Sequence, residues 1–156
     1  MRRTLLGTMF VFSLAFMFFL GYKAGHNKNV PEITAEQAIQ SRWVQADQPP
    51  SPGITINGTA IDVKRSGYSW CVPAAGSCIS VDAAIPELDP VAVPGGSAIN
   101  TTAPAGIREF SLVNMNADGK DAYVVPGAKG VYTYRIHCEW FLEQGQAEFY
   151  FSVEVE

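Results

Sequence analysis

Two stretches near the C-terminus alternate with a period of two, and this rhythm constrains the fold more than any other feature. Tyr132, Tyr134, Ile136, Cys138 and Trp140 are interleaved with Thr133, Arg135, His137 and Glu139. After a turn read over Glu143-Gln-Gly-Gln146, the alternation resumes at Ala147, Phe149, Phe151, Val153 and Val155. A helix would scatter each set around its axis, whereas an extended strand puts each set on one face. The pattern predicts a terminal antiparallel hairpin with one face in the core. His137 then faces solvent, and Cys138 is a small buried hydrophobe.

Shorter candidate strands precede the hairpin. Ile54-Thr-Ile56 and Thr59 to Val63 flank Asn57-Gly58, a favoured two-residue hairpin turn. Tyr68 to Val72, Cys78 to Val81, Val91 to Val93, Ser97 to Thr101, Arg108 to Val113 and Ala122 to Val125 follow, separated by turn residues. Many short strands punctuated in this way predict an all-β antiparallel sandwich or barrel, and the size favours a sandwich. The expected core comprises Tyr68, Trp70, Phe110, Tyr132, Tyr134, Ile136, Cys138, Trp140, Phe149, Phe151 and Val153.

The other end of the chain is of a different kind. Arg2 and Arg3 precede an uncharged apolar run of 19 residues, Thr4 to Tyr22, after which Lys23 restores charge. At about 1.5 Å per helical residue the run reaches about 28 Å, close to the roughly 30 Å of a bilayer's hydrocarbon core. A cleaved signal has a shorter apolar stretch and small residues before the cut, and Tyr22, Lys23 and Phe19 fill those places poorly. The run therefore reads as an uncleaved transmembrane helix, residues 4–22 behind a cytoplasmic segment 1–3, with secretion after cleavage as the alternative. Either way the rest of the chain is exported. Residues 23–53 read as a juxtamembrane stalk. Within it, the capping-box spacing of Thr34 and Gln37 predicts a short helix over 35–45, and Gln48-Pro-Pro-Ser-Pro-Gly53 predicts a semi-rigid spacer over 48–53.

Residues 54–156 form the expected folded domain. It holds twelve acidic and six basic residues, for a net charge of −6. Nucleic acids and anionic lipid surfaces need clustered Lys and Arg, so a nucleic-acid partner is not expected.

Three cysteines, Cys71, Cys78 and Cys138, fit an oxidising compartment with one bridge and one thiol. Cys71 and Cys78 enclose Val-Pro-Ala-Ala-Gly-Ser, where Pro73 and Gly76 can reverse the chain. Closing so small a loop contributes about 2.5 kcal/mol in the chain-entropy treatment. This pair is favoured over a bridge from Cys138 to either of the others.

Gly67-Tyr-Ser-Trp-Cys71, the second cysteine Cys78 and then Asp82 resemble a signature of small extracytoplasmic lipoproteins from Bacillus-like Gram-positive bacteria. Gly130-Val-Tyr-Thr-Tyr and the closing Phe149-Tyr-Phe-Ser-Val-Glu-Val155 are similar to the end of those domains. The resemblance covers about Ile54 to Glu156. It implies an immunoglobulin-like export domain, supplies no catalytic residue and implies no cofactor. This chain departs from the pattern in placing Ile79-Ser-Val81 before the acidic residue and in lacking the lipid-bearing cysteine.

Several sites are weighed on chemistry. Pro126-Gly127 followed by the strand to Cys138 resembles a cupredoxin ending, but a blue-copper centre needs two histidines. The domain has His137 alone, and His137 and Cys138 point to opposite faces of a strand. Asn114, Asn116, Asp118 and Gly119 match the first half of a calcium loop, with Asp121 as a substitute for its closing acid. Val125 sits where that acid belongs, and Asn, Asp and Gly also dominate plain turns, which is the reading preferred. No phosphate loop, HExxH or GxSxG occurs. The expected role is a membrane-anchored binding or structural module for a protein or glycan. Its alternatives are an accessory subunit marked by an apolar patch, or an enzyme. The enzyme would be marked by a pocket joining two or more of His137, Asp82, Asp118 and Asp121.

Overall fold

The structure, a computed structural model, describes residues 34–73, 75–116 and 122–156. The Thr4–Tyr22 run and the stalk as far as residue 33 lie outside the described residues, as do Asp118 and Asp121. Among the described residues no helix is long and apolar enough to cross a membrane.

Among the described residues a short helix, α1 (Ala35–Gln40), is followed by nine strands. These are β1 (Gly53–Ile56), β2 (Thr59–Ile61), β3 (Lys64–Val72), β4 (Ser77–Val81), β5 (Val91–Ala92), β6 (Ile99–Thr102), β7 (Ile107–Asn114), β8 (Gly130–Trp140) and β9 (Gly145–Val155). They make two sheets. A three-stranded sheet has the order β2-β1-β6, and a six-stranded one has the order β4-β3-β9-β8-β7, with β5 added on β9. All pairings are antiparallel except the parallel β5–β9 pair. Among the described residues the domain is therefore all-β with little helix, as the alternating pattern predicts.

Local chemistry explains the elements. Asn57 (φ 51°) and Gly58 (φ 78°) form the tight turn between β1 and β2, and the Asn57 amide donates to Ser97 Oγ at 2.9 Å. β8 and β9 pair from Gly130↔Val155 to Glu139↔Gln146, so the turn falls at Phe141–Gln144 rather than at Glu143–Gln146. Leu142 and Glu143 there adopt φ of 58° and 56°. Gly145 already lies in β9, where a side chain would run into the backbone of Ser69 and Trp70.

The two sheets share one cluster of buried side chains. Ile54, Ile56, Ile61 and Ile99 of the small sheet join Trp70, Tyr134, Ile136, Cys138, Trp140, Phe149, Phe151 and Val153 of the large one. Trp70 meets Trp140 edge to face at 5.0 Å, and Tyr134 stacks on its register partner Phe151 at 4.8 Å. Three residues expected in the core, Tyr68, Phe110 and Tyr132, are only partly buried against it. Each sits at a margin: Tyr68 under the Arg65 guanidinium, Phe110 on the edge strand β7, and Tyr132 with its hydroxyl donating to Ala128 O.

The segment before β1 does not stand away as a spacer. The helix stops at Gln40, and Trp43 Nε1 donates to Leu142 O. Val44 and the buried Gln144 exchange two hydrogen bonds of 2.8 and 2.7 Å, and Trp70 Nε1 donates to Ala46 O. Arg65 holds Gln48 and Pro49 O, and Pro49 and Pro52 are buried. Prolines need no ladder partner, so they cover an apolar margin without stranding a donor. The packed unit thus begins before Ile54.

Candidate functional site

The face of the large sheet opposite the core carries the candidate site. Residues in register across neighbouring strands share a face, so the pairing His137↔Glu148 sets both side chains side by side. His137 Nδ1 lies 2.8 Å from Glu148 Oε1. An ionised carboxylate only accepts, so Nδ1 is the donor in this pair and Nε2 is the ring's other polar atom. Arg135 Nε approaches Glu148 Oε2 to 3.8 Å, an ion-pair distance too long for a hydrogen bond. Glu148 Oε2 is covered and accepts no hydrogen bond from any described residue.

β3 shapes the neighbouring wall. Its register with β9 shifts between Arg65 and Tyr68, so Ser66 and Gly67 form a bulge. Ser66 Oγ lies 2.7 Å from Ala83 O and draws the chain after β4 alongside the bulge. Gly67 permits this approach, since a Cβ there would meet Val81 O at 3.2 Å. The result is an open groove of about 430 Å³ whose lining includes Ser69, Ser80, Asp82, His137, Gln146 and Glu148. Asp82 makes no ion pair among the described residues. Tyr150, also on the groove, has its phenol pKa raised by burial and then by the charge of Glu148, against a lowering by Arg135. Its hydroxyl stays a donor.

β9 is buried on both faces from Phe149 to Val153, which the simple alternation did not anticipate. Tyr150 is 7% and Ser152 4% exposed. The chain from Ala83 to Ala92 runs along this half of β9. Lys64 Nζ donates to Glu87 O and to Asp89 Oδ2, and Val91–Ala92 pairs with Val153–Glu154.

The residues singled out from the sequence fall as follows. Cys71 and Cys78 are register partners in β3 and β4 and form the disulfide, leaving Cys138 free and buried. Burial, and then the charge of Glu148, pushes the Cys138 thiol up to about 12, so it stays protonated. Asp82 and His137 do meet on one groove. However, no serine hydroxyl is bonded to His137 Nε2 among the described residues, so the nucleophile–base contact of acyl transfer is not assembled. Among the described residues no group of three or more His, Cys, Asp or Glu is placed to hold a metal ion.

Asn114 and Asn116 spend their carboxamide oxygens on the β7–β8 connection. Asn114 Oδ1 accepts from Asn116 N, and Asn116 Oδ1 accepts from Thr133 N at 2.6 Å. Asn114 is itself buried against the Tyr134 hydroxyl. This is a turn-capping arrangement, as Asx residues commonly make.

Sequence reasoning missed Glu148, Gln146 and Ser80 as groove residues. The signal for Glu148 was present in the hairpin, whose register decides which acid faces His137. Comparison with protein-family models, curated proteins and solved structures finds no match for this chain.

Proposed function

We propose that this chain is a single-pass membrane protein whose domain, an immunoglobulin-like β-sandwich, stands outside the cell membrane. There it binds a glycan or peptide segment bearing hydroxyl or amino groups. The observation that carries this reading is the groove. One face of β8 and β9 is committed to the core, while the other collects Asp82, His137 and Glu148 with polar neighbours. Rigid strands presenting convergent polar groups are a usual basis for ligand binding. The acids Asp82 and Glu148 offer acceptors, which selects ligand donors. The length and flanks of Thr4–Tyr22 support the anchor, and the Cys71–Cys78 bridge supports an oxidising compartment. The Gly67–Cys71 signature supports the family-like architecture.

The test has two arms. Protease added to intact cells removes the domain and spares the anchor; complete protection overturns the extracytoplasmic location. Full-length protein in nanodiscs is then titrated with an amino-sugar oligomer and, separately, with a lysine-rich peptide, following His137 by NMR. A saturable shift with either probe, lost in Glu148→Ala, is the expected result. No shift with both probes overturns the binding role of the groove.

A further inference from the structure

One end of the domain exposes apolar side chains and takes no part in the groove. β8 runs out into Phe141, Leu142 and Glu143, none of them buried. Phe141 is 57% exposed and Leu142 40%. Leu142 and Glu143 hold left-handed backbone conformations that L-residues disfavour. The buried Gln144 fixes the base of this turn by its two hydrogen bonds to Val44, and Trp43 Nε1 donates to Leu142 O at 3.0 Å. Ile39 of α1 is 43% exposed beside them, and the helix buries no residue at all. Ile39, Trp43, Leu142 and the disulfide line a shared cleft of about 690 Å³. A protruding tip locked by its base, with apolar side chains outward, is arranged to meet something apolar.

We propose that this tip lies against the outer surface of the bilayer, with Phe141 and Leu142 entering the boundary between headgroups and acyl chains. The inference rests on the anchor reading above. α1 begins at Ala35, thirteen residues after Tyr22, where the apolar run ends. Thirteen residues span at most about 45 Å when extended. The chain reaches the domain at the helix that carries Ile39, so the apolar end is the one the tether meets first. A tether this short raises the effective concentration of the tip at the surface to about the millimolar range, so a few apolar side chains suffice. Glu36 and Glu143 also line the cleft, and the domain carries a net charge of −6. The contact is therefore apolar, made with a zwitterionic surface, and independent of attraction to anionic headgroups.

The experiment uses the full chain reconstituted in phosphatidylcholine vesicles. Phe141→Cys is labelled with an environment-sensitive fluorophore, and Glu154→Cys serves as a control. Labelling is selective because Cys71 and Cys78 are bonded and Cys138 is buried. Residue 154 is exposed and lies about 30 Å along β9 from Gly145. The expected result is a blue shift at position 141, with quenching by bromines near the headgroup several-fold stronger than at position 154. Protein that floats with the vesicles but shows equal, weak quenching at both positions overturns this inference and leaves the anchor standing. Protein that does not float overturns the anchor reading and this one with it. A blue shift at 141 that bromolipid does not quench and that grows with protein density overturns the lipid contact in favour of a second copy.

Discussion

The two faces of the β8–β9 hairpin are made by alternate residues of the same two strands, yet they do opposite work. On one face, Tyr134, Ile136, Cys138, Trp140, Phe149, Phe151 and Val153 lose essentially all contact with solvent. On the other, His137 and Glu148 stay partly exposed and hold a polar groove open. The backbone is shared, so every constraint on the core face also fixes the spacing of the groove face. A side chain on the core face is held by packing, and its loss opens a cavity. A side chain on the groove face is solvated, and its loss is largely compensated by water. As far as Glu148, the hairpin therefore separates core packing from groove lining by side-chain parity.

The strongest way to break that separation is to strike the core face. Trp140 is fully buried, packed edge to face on Trp70, and donates to Ala105 O at 3.1 Å. Trp140→Ala is expected to lower the unfolding free energy by about 3–5 kcal/mol, measured by urea denaturation. A change below about 1 kcal/mol would mean that the two faces carry similar weight and that the comparison is misplaced.

How far the faces could be foreseen depends on the residue. The apolar stripe from Tyr134 to Trp140 is legible because period two has no helical equivalent, and the Asn57-Gly58 turn and the Cys71–Cys78 pair are legible because local chemistry decides them. The partner of His137 was not. A turn placed at Glu143–Gln146 would oppose His137 to Ser152, whereas the turn at Phe141–Gln144 opposes it to Glu148. The two placements keep the same faces, so hydrophobicity could not choose between them. Nothing in Phe141-Leu-Glu143 announces a left-handed turn, since glycine or asparagine usually marks one. Gln144 and Val44 lie 100 residues apart, and their reciprocal bonds decide where the domain begins. A Pro-rich composition reads as a spacer when nothing local reveals what it packs on. Tyr150 and Ser152 broke the alternation where a segment distant in sequence comes alongside: Val91–Ala92 pairs with Val153–Glu154, and no local pattern announces that pairing.

A middle-sized effect should appear in alkali. In the unfolded chain the Cys138 thiol has its ordinary value of 9.0, and folding raises it to about 12. Tyr134 moves from 10.0 to about 12, through burial and the neighbouring Tyr132, with its bond to Asn114 pulling the other way. Between those values the folded state binds more protons, so raising the pH favours unfolding. Below pH 9 both states are protonated and these groups leave stability unchanged. Urea titrations from pH 8 to 11 should show stability falling above pH 9, with a shallower fall in Cys138→Ala. An identical slope in the variant would show that the thiol feels no burial.

The smallest effect belongs to the groove face, and it sharpens the comparison most. Glu148 lies 2.8 Å from His137 Nδ1 and makes an ion pair with Arg135 at 3.8 Å, and its side chain is 32% exposed. Pairs this close to solvent contribute about 0–1 kcal/mol. Glu148→Gln keeps the shape and a hydrogen-bond acceptor while removing the charge. It should change the urea midpoint by no more than that amount, with the m-value unaltered. Its effect should fall instead on the imidazole of His137, whose neighbour at 2.8 Å changes from a carboxylate to an amide, and the ring's NMR chemical shifts should move at constant pH. A large loss of stability with unmoved imidazole chemical shifts would place Glu148 in the structural half of the hairpin and dissolve the division between the faces.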